Sequence, residues 1–266
     1  MSRLRRIALR VPDGEAEQVR ARLLELSPDG FEEVDVDGGS VELAVYASSE
    51  GAAALLAELP GATVEPVVEG WEEAWRDFHR PVVAGGLWLG PPWRTPPDPA
   101  QAVVIDPGRA FGTGAHPTTR LCVELLATGL RGSLLDVGCG SGVLSIAAVR
   151  LGFAPVLAVD VDPVAVETTR ENAAANGVAV DAAVLDALAE PLPVADVAVA
   201  NVLLGPVEAI LSRLDAREAI TSGYLAGERP AHAGWEQVET VELDGWAADR
   251  FRRRRGAGPA SVTILP

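Results

Sequence analysis

A glycine-rich segment in the middle of the chain carries the clearest chemical signal. Residues 136–142 read DVGCGSG, with Gly138, Gly140 and Gly142 in a G-x-G-x-G spacing that differs from the G-x-G-x-x-G of dinucleotide-binding loops. Glycine lets the backbone approach a ligand closely and adopt positive φ. Asp136 stands two residues before the first glycine, where an acid would face and repel a pyrophosphate. The segment therefore favours a cationic ligand such as S-adenosylmethionine over a nicotinamide cofactor.

Two further carboxylates follow this loop at the ends of predicted strands. Asp160 comes 22 residues after Gly138, where a carboxylate binds ribose hydroxyls in nucleotide-binding α/β folds. Asp186 closes the segment AAVLD, at a position that often contacts adenine but that equally suits the cap of a turn. Together the loop and the acids predict a site for S-adenosylmethionine.

Asn201 is the candidate for positioning a nucleophile. It lies in VANVLLGP, residues 199–206, after the fourth predicted strand of this region. Amine methyltransferases place an Asn-led loop here, whose carbonyl oxygens hold the reacting nitrogen. Their Pro-Pro-aromatic continuation is absent, since Val202, Leu203 and Leu204 follow Asn201. Asn201 could also be a simple turn former.

The segments that position these residues alternate between strands and helices from about residue 101. LLDVG, PVLAVDVD, VAVDAAVLD, DVAVANVLL and AITSGYL read as strands, and apolar runs with helical spacing separate most of them. The C-terminal QVETVELDGWAADRF reads as a hairpin that finishes the sheet. Repeated βα units of this kind predict a doubly wound, mostly parallel α/β sheet over residues 101–266.

The N-terminal part of the chain has a different pattern. Residues 1–68 predict the order β-α-β-β-α-β, which is typical of a small ferredoxin-like α+β domain. This domain has no catalytic constellation, so we interpret it as a recognition domain, with a structural appendage as the alternative. Residues 69–100 read as a linker, in which Trp71, Trp75 and Phe78 form one face of a short helix before a Pro-rich segment.

The composition excludes several classes of protein. The chain has 266 residues and a formal net charge of −16, which argues against direct nucleic-acid binding. No apolar run approaches the about 20 residues of a membrane span, and the first residues lack a secretory signal. Cys122 and Cys139 make no disulfide framework, and His79, His116 and His232 lack metal-ligand spacing. We therefore expect a cytoplasmic protein that has no metal site and no membrane contact. We also expect a monomer.

Several longer segments resemble the bacterial ribosomal protein L11 methyltransferase family. They are DPGRAFGTGAHPTTRLCVELL, LLDVGCGSGVLSIAA, AVDVDPVAVETTRENAAANGV and VANVLLGP, together with WEEAWRDFHRP and LWLGPPW. The resemblance is strong over residues 69–225 and weaker at both ends. It implies a Rossmann-like class I methyltransferase domain that transfers methyl groups from S-adenosylmethionine. The implied acceptors are lysine side chains or the N-terminal amine of a large-subunit ribosomal protein.

The resemblance also assigns roles to residues. It implies that the loop AFGTGAHPTT and the helix after it close over the cofactor, with Phe111 and Gly112 in the closing loop. His116 could be taken for a base there, but a His-Pro at a helix start is more often structural. The residues that match the cofactor or active-site positions of the family are Thr119, Gly138, Asp160 and Asn201.

The chain also departs from the family pattern. DAREAITSGYL lacks the usual Pro-Gly-Gly turn before the fifth strand, and GERPAHAGWEQ is too short and Pro-broken for the helix expected after it. The sequence therefore predicts the reaction, methyl transfer, more directly than it predicts the substrate. The alternatives are a methyltransferase of another protein or small amine, a nucleotide-dependent oxidoreductase, and a non-catalytic ribosome-assembly binder.

Overall fold

The chain divides into two compact units. The computed structural model describes residues 5–27, 31–36, 39–47, 49–66, 79–106 and 114–254. The first unit is Met1–His79 and the second is Arg80–Pro266. The predicted aromatic helix at Trp71, Trp75 and Phe78 lies outside the described residues. No helix of the described part is both long and apolar enough to cross a membrane.

The described residues of the first unit form a four-stranded antiparallel sheet with two helices. Its elements are β1 (Arg5–Pro12), α1 (Asp13–Leu26), β2 (Glu32–Val36), β3 (Ser40–Ala47), α2 (Ser49–Glu58) and β4 (Thr63–Pro66). The strands lie in the order β2-β3-β1-β4, and every neighbouring pair is antiparallel. This is the β-α-β-β-α-β order that the sequence pattern predicts, while its assignment to the ferredoxin-like fold stays a prediction.

The two faces of this small sheet differ in polarity. Alternate residues of β1 and β3, such as Ile7 and Leu43, join the helices in an apolar core. Arg6 lies on the opposite face and donates hydrogen bonds to Glu32 at 3.0 Å and Glu42 at 2.8 Å. Because strand side chains alternate between faces, one face is buried by the unit's own helices and the other is polar.

The second unit contains a seven-stranded sheet. Its strands are β8 (Leu134–Val137), β9 (Val156–Asp160), β10 (Asp181–Val184), β11 (Val197–Asn201), β12 (Glu218–Leu225), β13 (Trp235–Leu243) and β14 (Trp246–Arg253). Their order is β10-β9-β8-β11-β12-β14-β13. The first five are parallel, whereas β14 and β13 form the antiparallel hairpin predicted at the C-terminus. The doubly wound α/β prediction is confirmed.

Within residues 114–254, four helices surround this sheet in the chain order that βα units require. They are α3 (Pro117–Thr128), α4 (Val143–Arg150), α5 (Pro163–Ala175) and α6 (Leu204–Arg213). Leu135 and Val137 of β8 pack with Val207 and Ile210 of α6 in one apolar cluster. Central parallel strands are covered on both faces, which explains why LLDV is a nearly continuous apolar run. Its one polar residue, Asp136, is therefore buried as well.

Residues 80–100 belong to this second unit, although the sequence pattern assigned them to the linker. They include β5 (Val82–Ala84) and β6 (Leu87–Gly90), and β6 pairs in parallel with β7 (Ala102–Val104). Asn176, after α5, anchors this small sheet: its Oδ1 accepts a hydrogen bond from Val104 N at 2.8 Å and its Nδ2 donates to Val104 O at 2.7 Å. Both contacts join distant parts of the chain, so local sequence patterns could not predict them.

Candidate active site

Three predicted site residues lie in one row at the carboxyl edge of the large sheet. In the central strand β8, Val137 pairs with Val159 on one side and Ala200 on the other. Gly138 follows Val137, Asp160 follows Val159 and Asn201 follows Ala200. Because the strands are parallel, these three residues emerge side by side, at the edge where α/β folds bind ligands.

The glycine loop is held in a shape that requires glycine. Gly138 has φ of +76° and Gly142 has φ of +79°, a region that other residues rarely adopt. A Cβ on Gly138 would approach Val202 Cγ1 to 2.6 Å, and one on Gly142 would approach Thr169 Cγ2 to 2.9 Å. The amide of Gly138 donates to Val159 O at 2.8 Å. The loop is thus fixed tightly against β9, and its glycines leave no side chain between backbone and ligand.

Asp160 is held rigidly with hydrogen-bonding capacity to spare. Its Oδ2 accepts a hydrogen bond from Gly140 N at 3.0 Å, and its Oδ1 accepts one from Asp162 N at 3.0 Å. The residue is half-buried, and each carboxylate oxygen can accept a second bond. Two oxygens fixed in this way fit a pair of adjacent hydroxyl groups, such as those of a ribose.

Asp136 lies behind the loop and is buried. Its Oδ2 accepts a hydrogen bond from Ser145 Oγ at 2.6 Å, whereas its buried Oδ1 has no hydrogen-bond partner among the described residues. Burial raises the pKa of Asp136 to about 7; the bond from Ser145 opposes this shift, and the charge of Asp160 adds to it. A buried carboxylate with an open oxygen is stabilised by a nearby cation. Asp136, two residues before Gly138, therefore favours a positively charged ligand over a negatively charged one at the glycine loop.

The raised pKa of Asp136 predicts how stability changes with pH. The buried carboxyl of Asp136 favours its protonated form. Its contribution to the free energy of unfolding is therefore fully present below about pH 4 and is lost as the pH rises through about 7. Asp136→Asn cannot ionise, so its free energy of unfolding relative to the wild type should increase by about 1–3 kcal/mol between pH 5 and pH 8. Urea denaturation of both ligand-free proteins at each pH measures this difference. Parallel pH profiles would show that folding does not raise the pKa of Asp136.

Asn201 meets a residue that lies far away in sequence. Its Nδ2 donates to Thr119 Oγ1 at 3.5 Å, a long contact between the end of β11 and the first turn of α3. Thr119 is buried and Asn201 is half-buried. With Nδ2 turned towards Thr119, the carbonyl Oδ1 of Asn201 is left as an acceptor. Oδ1 can therefore accept a hydrogen bond from an N–H donor.

The backbone beyond Asn201 rests on the neighbouring strand β12. Val202 N donates to Ser222 O at 3.1 Å. The next residue, Gly223, has φ of +102°, and a Cβ there would approach Val202 O to 2.1 Å. The β12–β14 pairing also shifts register between Ser222 and Tyr224. A bulge with a glycine therefore supports the loop that presents Asn201.

His116 has a structural position at the start of α3. Its Nδ1 accepts a hydrogen bond from Thr118 N at 3.4 Å, and its ring lies edge-on to Trp246 with the centroids 4.9 Å apart. Burial lowers the pKa of His116 to about 4, which makes the imidazole neutral at physiological pH. These contacts favour the structural interpretation over a catalytic base. Phe111 and Gly112, predicted in the closing loop, lie outside the described residues.

Asp186 serves a turn. Its Oδ1 accepts a hydrogen bond from Leu188 N at 2.8 Å, and its own N–H donates to Glu190 Oε1 at 2.9 Å. This reciprocal pattern is that of a capping interaction. It accords with the turn-cap alternative that the sequence left open, and the contact with adenine stays a prediction.

Polar residues of α5, which the sequence motifs did not single out, support the glycine loop. Thr169 Oγ1 donates to Gly140 O at 3.1 Å, and Asn172 Nδ2 donates to Ser141 O at 2.9 Å. With Asn176 they follow the spacing i, i+3, i+7 on a buried side of the helix. The sequence signal that could have identified them is this helical spacing of polar residues. Buried polar groups need hydrogen-bond partners, and the glycine loop supplies those of Thr169 and Asn172. Among the described residues no group of three His, Cys, Asp or Glu side chains could hold a metal ion.

Strand order and site together define the class of protein. Counted from β8, the strands of the large sheet lie in the order 3-2-1-4-5-7-6, the arrangement of class I methyltransferases. A sequence model of the family "Ribosomal protein L11 methyltransferase (PrmA)" matches residues 33–253. The chain belongs to this family.

Individual relatives agree with this assignment. The "Ribosomal protein L11 methyltransferase" of Azotobacter vinelandii is 43% identical over 237 residues, covering 79% of this chain and 81% of the relative. That of Pseudomonas fluorescens is 40% identical over 238 residues, with 80% and 81% coverage. Among solved structures, the ribosomal protein L11 methylase of Lactobacillus delbrueckii subsp. bulgaricus matches with a TM-score of 0.56 and 30% identity, covering 63% of this chain and 95% of that chain. The resemblance predicted from the motifs is confirmed.

Proposed function

We propose that this methyltransferase transfers methyl groups from S-adenosylmethionine to amino groups of ribosomal protein L11, either lysine side chains or the N-terminal amine. The observation that carries the proposal is the row of Gly138, Asp160 and Asn201. It places a loop and carboxylate suited to a nucleoside next to an amide suited to an amine. The named substrate of the relatives supplies the identity of the protein acceptor.

Several groups of residues would hold the cofactor. Asp160 would accept hydrogen bonds from the ribose hydroxyls, and Gly138 and Gly140 would let the backbone approach. Asp136 would stabilise the positively charged end through its open oxygen, and Thr119 would contact the cofactor from α3. We assign Phe111 and Gly112 to a loop that covers it. When bound, S-adenosylmethionine supplies a methyl group on a positively charged sulfur, ready for transfer to a neutral amine.

The residues of the chain must also favour the neutral, nucleophilic form of the amine and orient it. A free lysine has a pKa of about 10.4, so only a small fraction is neutral near pH 7. Entry into the half-buried site next to Asn201 removes water from the amine and lowers its pKa. Asn201 Oδ1 then accepts an N–H bond and turns the nitrogen lone pair towards the methyl group, which favours transfer by alignment. The proton that the amine loses on becoming neutral passes to solvent, so no side chain is needed as a base.

Recognition of the protein substrate is assigned to the first unit. None of the site residues named above lies in residues 1–79. The net charge of −16 suits a basic partner, and proteins that bind ribosomal RNA are typically basic. We place the reaction in the cytoplasm, where ribosomal proteins are made, and treat the enzyme as a monomer.

Asp160 gives a direct test of the cofactor site. Asp160→Ala removes both ribose acceptors and should weaken binding of S-adenosylhomocysteine by about 1.5–3 kcal/mol in titration calorimetry. Asp181→Ala is the matched control, because this exposed carboxylate begins the neighbouring strand β10 at the opposite edge of the sheet. Unchanged affinity in a folded Asp160→Ala protein would remove Asp160 from the site.

The proposed function is tested by intact-mass analysis of purified L11 after incubation with the enzyme and S-adenosylmethionine. We expect added masses of whole methyl groups that depend on both enzyme and cofactor. If L11 stays unmodified although the enzyme binds it, a non-catalytic binder is the better description. Calorimetry with NAD checks the oxidoreductase alternative, and binding of NAD in place of S-adenosylhomocysteine would contradict the proposal.

A further inference from the structure

Leu203 is an exposed apolar side chain beside the candidate active site. It follows Asn201 by two residues and is 58% exposed. Its neighbours Val202 and Leu204 are partly buried and pack against the apolar core. The chain therefore turns both neighbours inward and leaves Leu203 at the surface, next to the residue that we assign to the amine.

Leu203 also occupies a position that normally requires a polar side chain. It is the N-cap residue of α6, and its side chain makes no capping hydrogen bond. Ser, Thr, Asp and Asn are preferred at this position because they bond to a free backbone N–H, and leucine cannot. At the same sheet edge, α5 has such a cap: Asp162 Oδ1 accepts a hydrogen bond from Val164 N at 2.8 Å. Leucine at position 203 therefore does not stabilise the start of its helix.

Each of these features has little meaning alone, since single exposed apolar residues are common on protein surfaces. Their coincidence at one residue, two positions from Asn201, is informative. A side chain that stabilises neither the core nor its helix is expected where function outweighs stability. At this position the exposed apolar group offers a contact surface for an apolar part of a molecule that enters the site.

We propose that Leu203 packs against the aliphatic stem of the substrate amine and so directs methylation to lysine ε-amino groups in preference to α-amino groups. A lysine nitrogen ends a chain of four methylene groups, which can lie along Leu203 while the nitrogen bonds to Asn201. An α-amine is attached directly to the main chain and has no such stem. The inference rests on the proposed function and narrows its substrate class.

The test compares two variants with the wild type on full-length L11. Initial rates are measured separately at ε-amines and at the α-amine by site-resolved mass spectrometry. Leu203→Ala should lower kcat/KM at ε-amines by about fivefold to thirtyfold through a higher KM, because apolar contact area is lost. The rate at the α-amine should change by less than about twofold. Val194→Ala, at a 69% exposed valine before the opposite end of β11, is the control and should match the wild type.

Leu203→Asn separates function from stability. Asparagine can cap α6, so this variant should have a melting temperature about 2–4 °C above the wild type while losing the ε-amine preference as Leu203→Ala does. A stabilised enzyme with a lowered ratio of ε-amine to α-amine methylation supports the proposal.

Two other results would overturn it. One is an unchanged ratio in both variants, and the other is a wild type that methylates only the α-amine of L11. A wild type that methylates L11 at no amine contradicts the proposed function itself, and it is thereby distinguished from a failure of this inference alone.

Discussion

Replacing Asn201 by alanine should lower kcat by about 100-fold to 1,000-fold while changing the affinity for S-adenosylmethionine by less than about threefold. Asn201 Oδ1 is the acceptor that we assign to the amine, and Asn201 Nδ2 is already turned towards Thr119. Alanine removes the hydrogen bond that aligns the amine nitrogen. It also removes the contact with Thr119 that orients the side-chain amide. Steady-state kinetics with L11 measure the turnover, and calorimetry with S-adenosylhomocysteine measures the cofactor site.

An aspartate at the same position gives a sharper control. Asn201→Asp keeps an acceptor oxygen in nearly the same volume, but its negative charge favours the protonated amine. We therefore expect partial activity whose pH profile is displaced to higher pH by about one unit. The opposite pattern in Asn201→Ala, with turnover intact and cofactor binding lost, would make Asn201 a cofactor ligand only.

Deleting the first unit, residues 1–79, should raise KM for L11 by about 100-fold or more while leaving cofactor binding near normal. A single amine in a small site offers little contact area, whereas a specific protein interface buries about 1,200–2,000 Å². The first unit has its own apolar core, built around residues such as Leu23, Leu43 and Val45. It can therefore contribute such an interface without supplying any group to the chemistry.

The control for this deletion is a substrate that does not need the first unit. A short peptide with one lysine should be methylated equally by the full-length and truncated enzymes, and circular dichroism should show that the second unit stays folded. If the truncated enzyme methylates L11 with the KM of the full-length protein, the recognition role is wrong. The first unit would then be a stabilising appendage.

The sequence by itself determined the class of the fold and most of the candidate site. The run LLDV, the glycine loop and the acid at Asp160 are local signals, because side-chain periodicity and glycine spacing act over a few residues. Parallel strands bring their carboxyl ends to one edge, so the strand assignment places Gly138, Asp160 and Asn201 at the same edge of the sheet. Their side-by-side row depends on the strand order β9-β8-β11, which the structure shows. The family motifs added Thr119, which no local pattern places near Asn201.

Only the tertiary structure decided how these residues are supported. Thr119 and Asn201 are 82 residues apart, and their contact depends on where α3 packs. The same holds for residues 80–100, whose strand β6 pairs with β7. It also holds for Asp136, whose second oxygen finds no hydrogen-bond partner among the residues that the structure describes. Local sequence sets which elements form, because backbone preferences and apolar periodicity are short-range. Which distant groups meet depends on how the elements pack around a shared core, and that is a property of the whole chain.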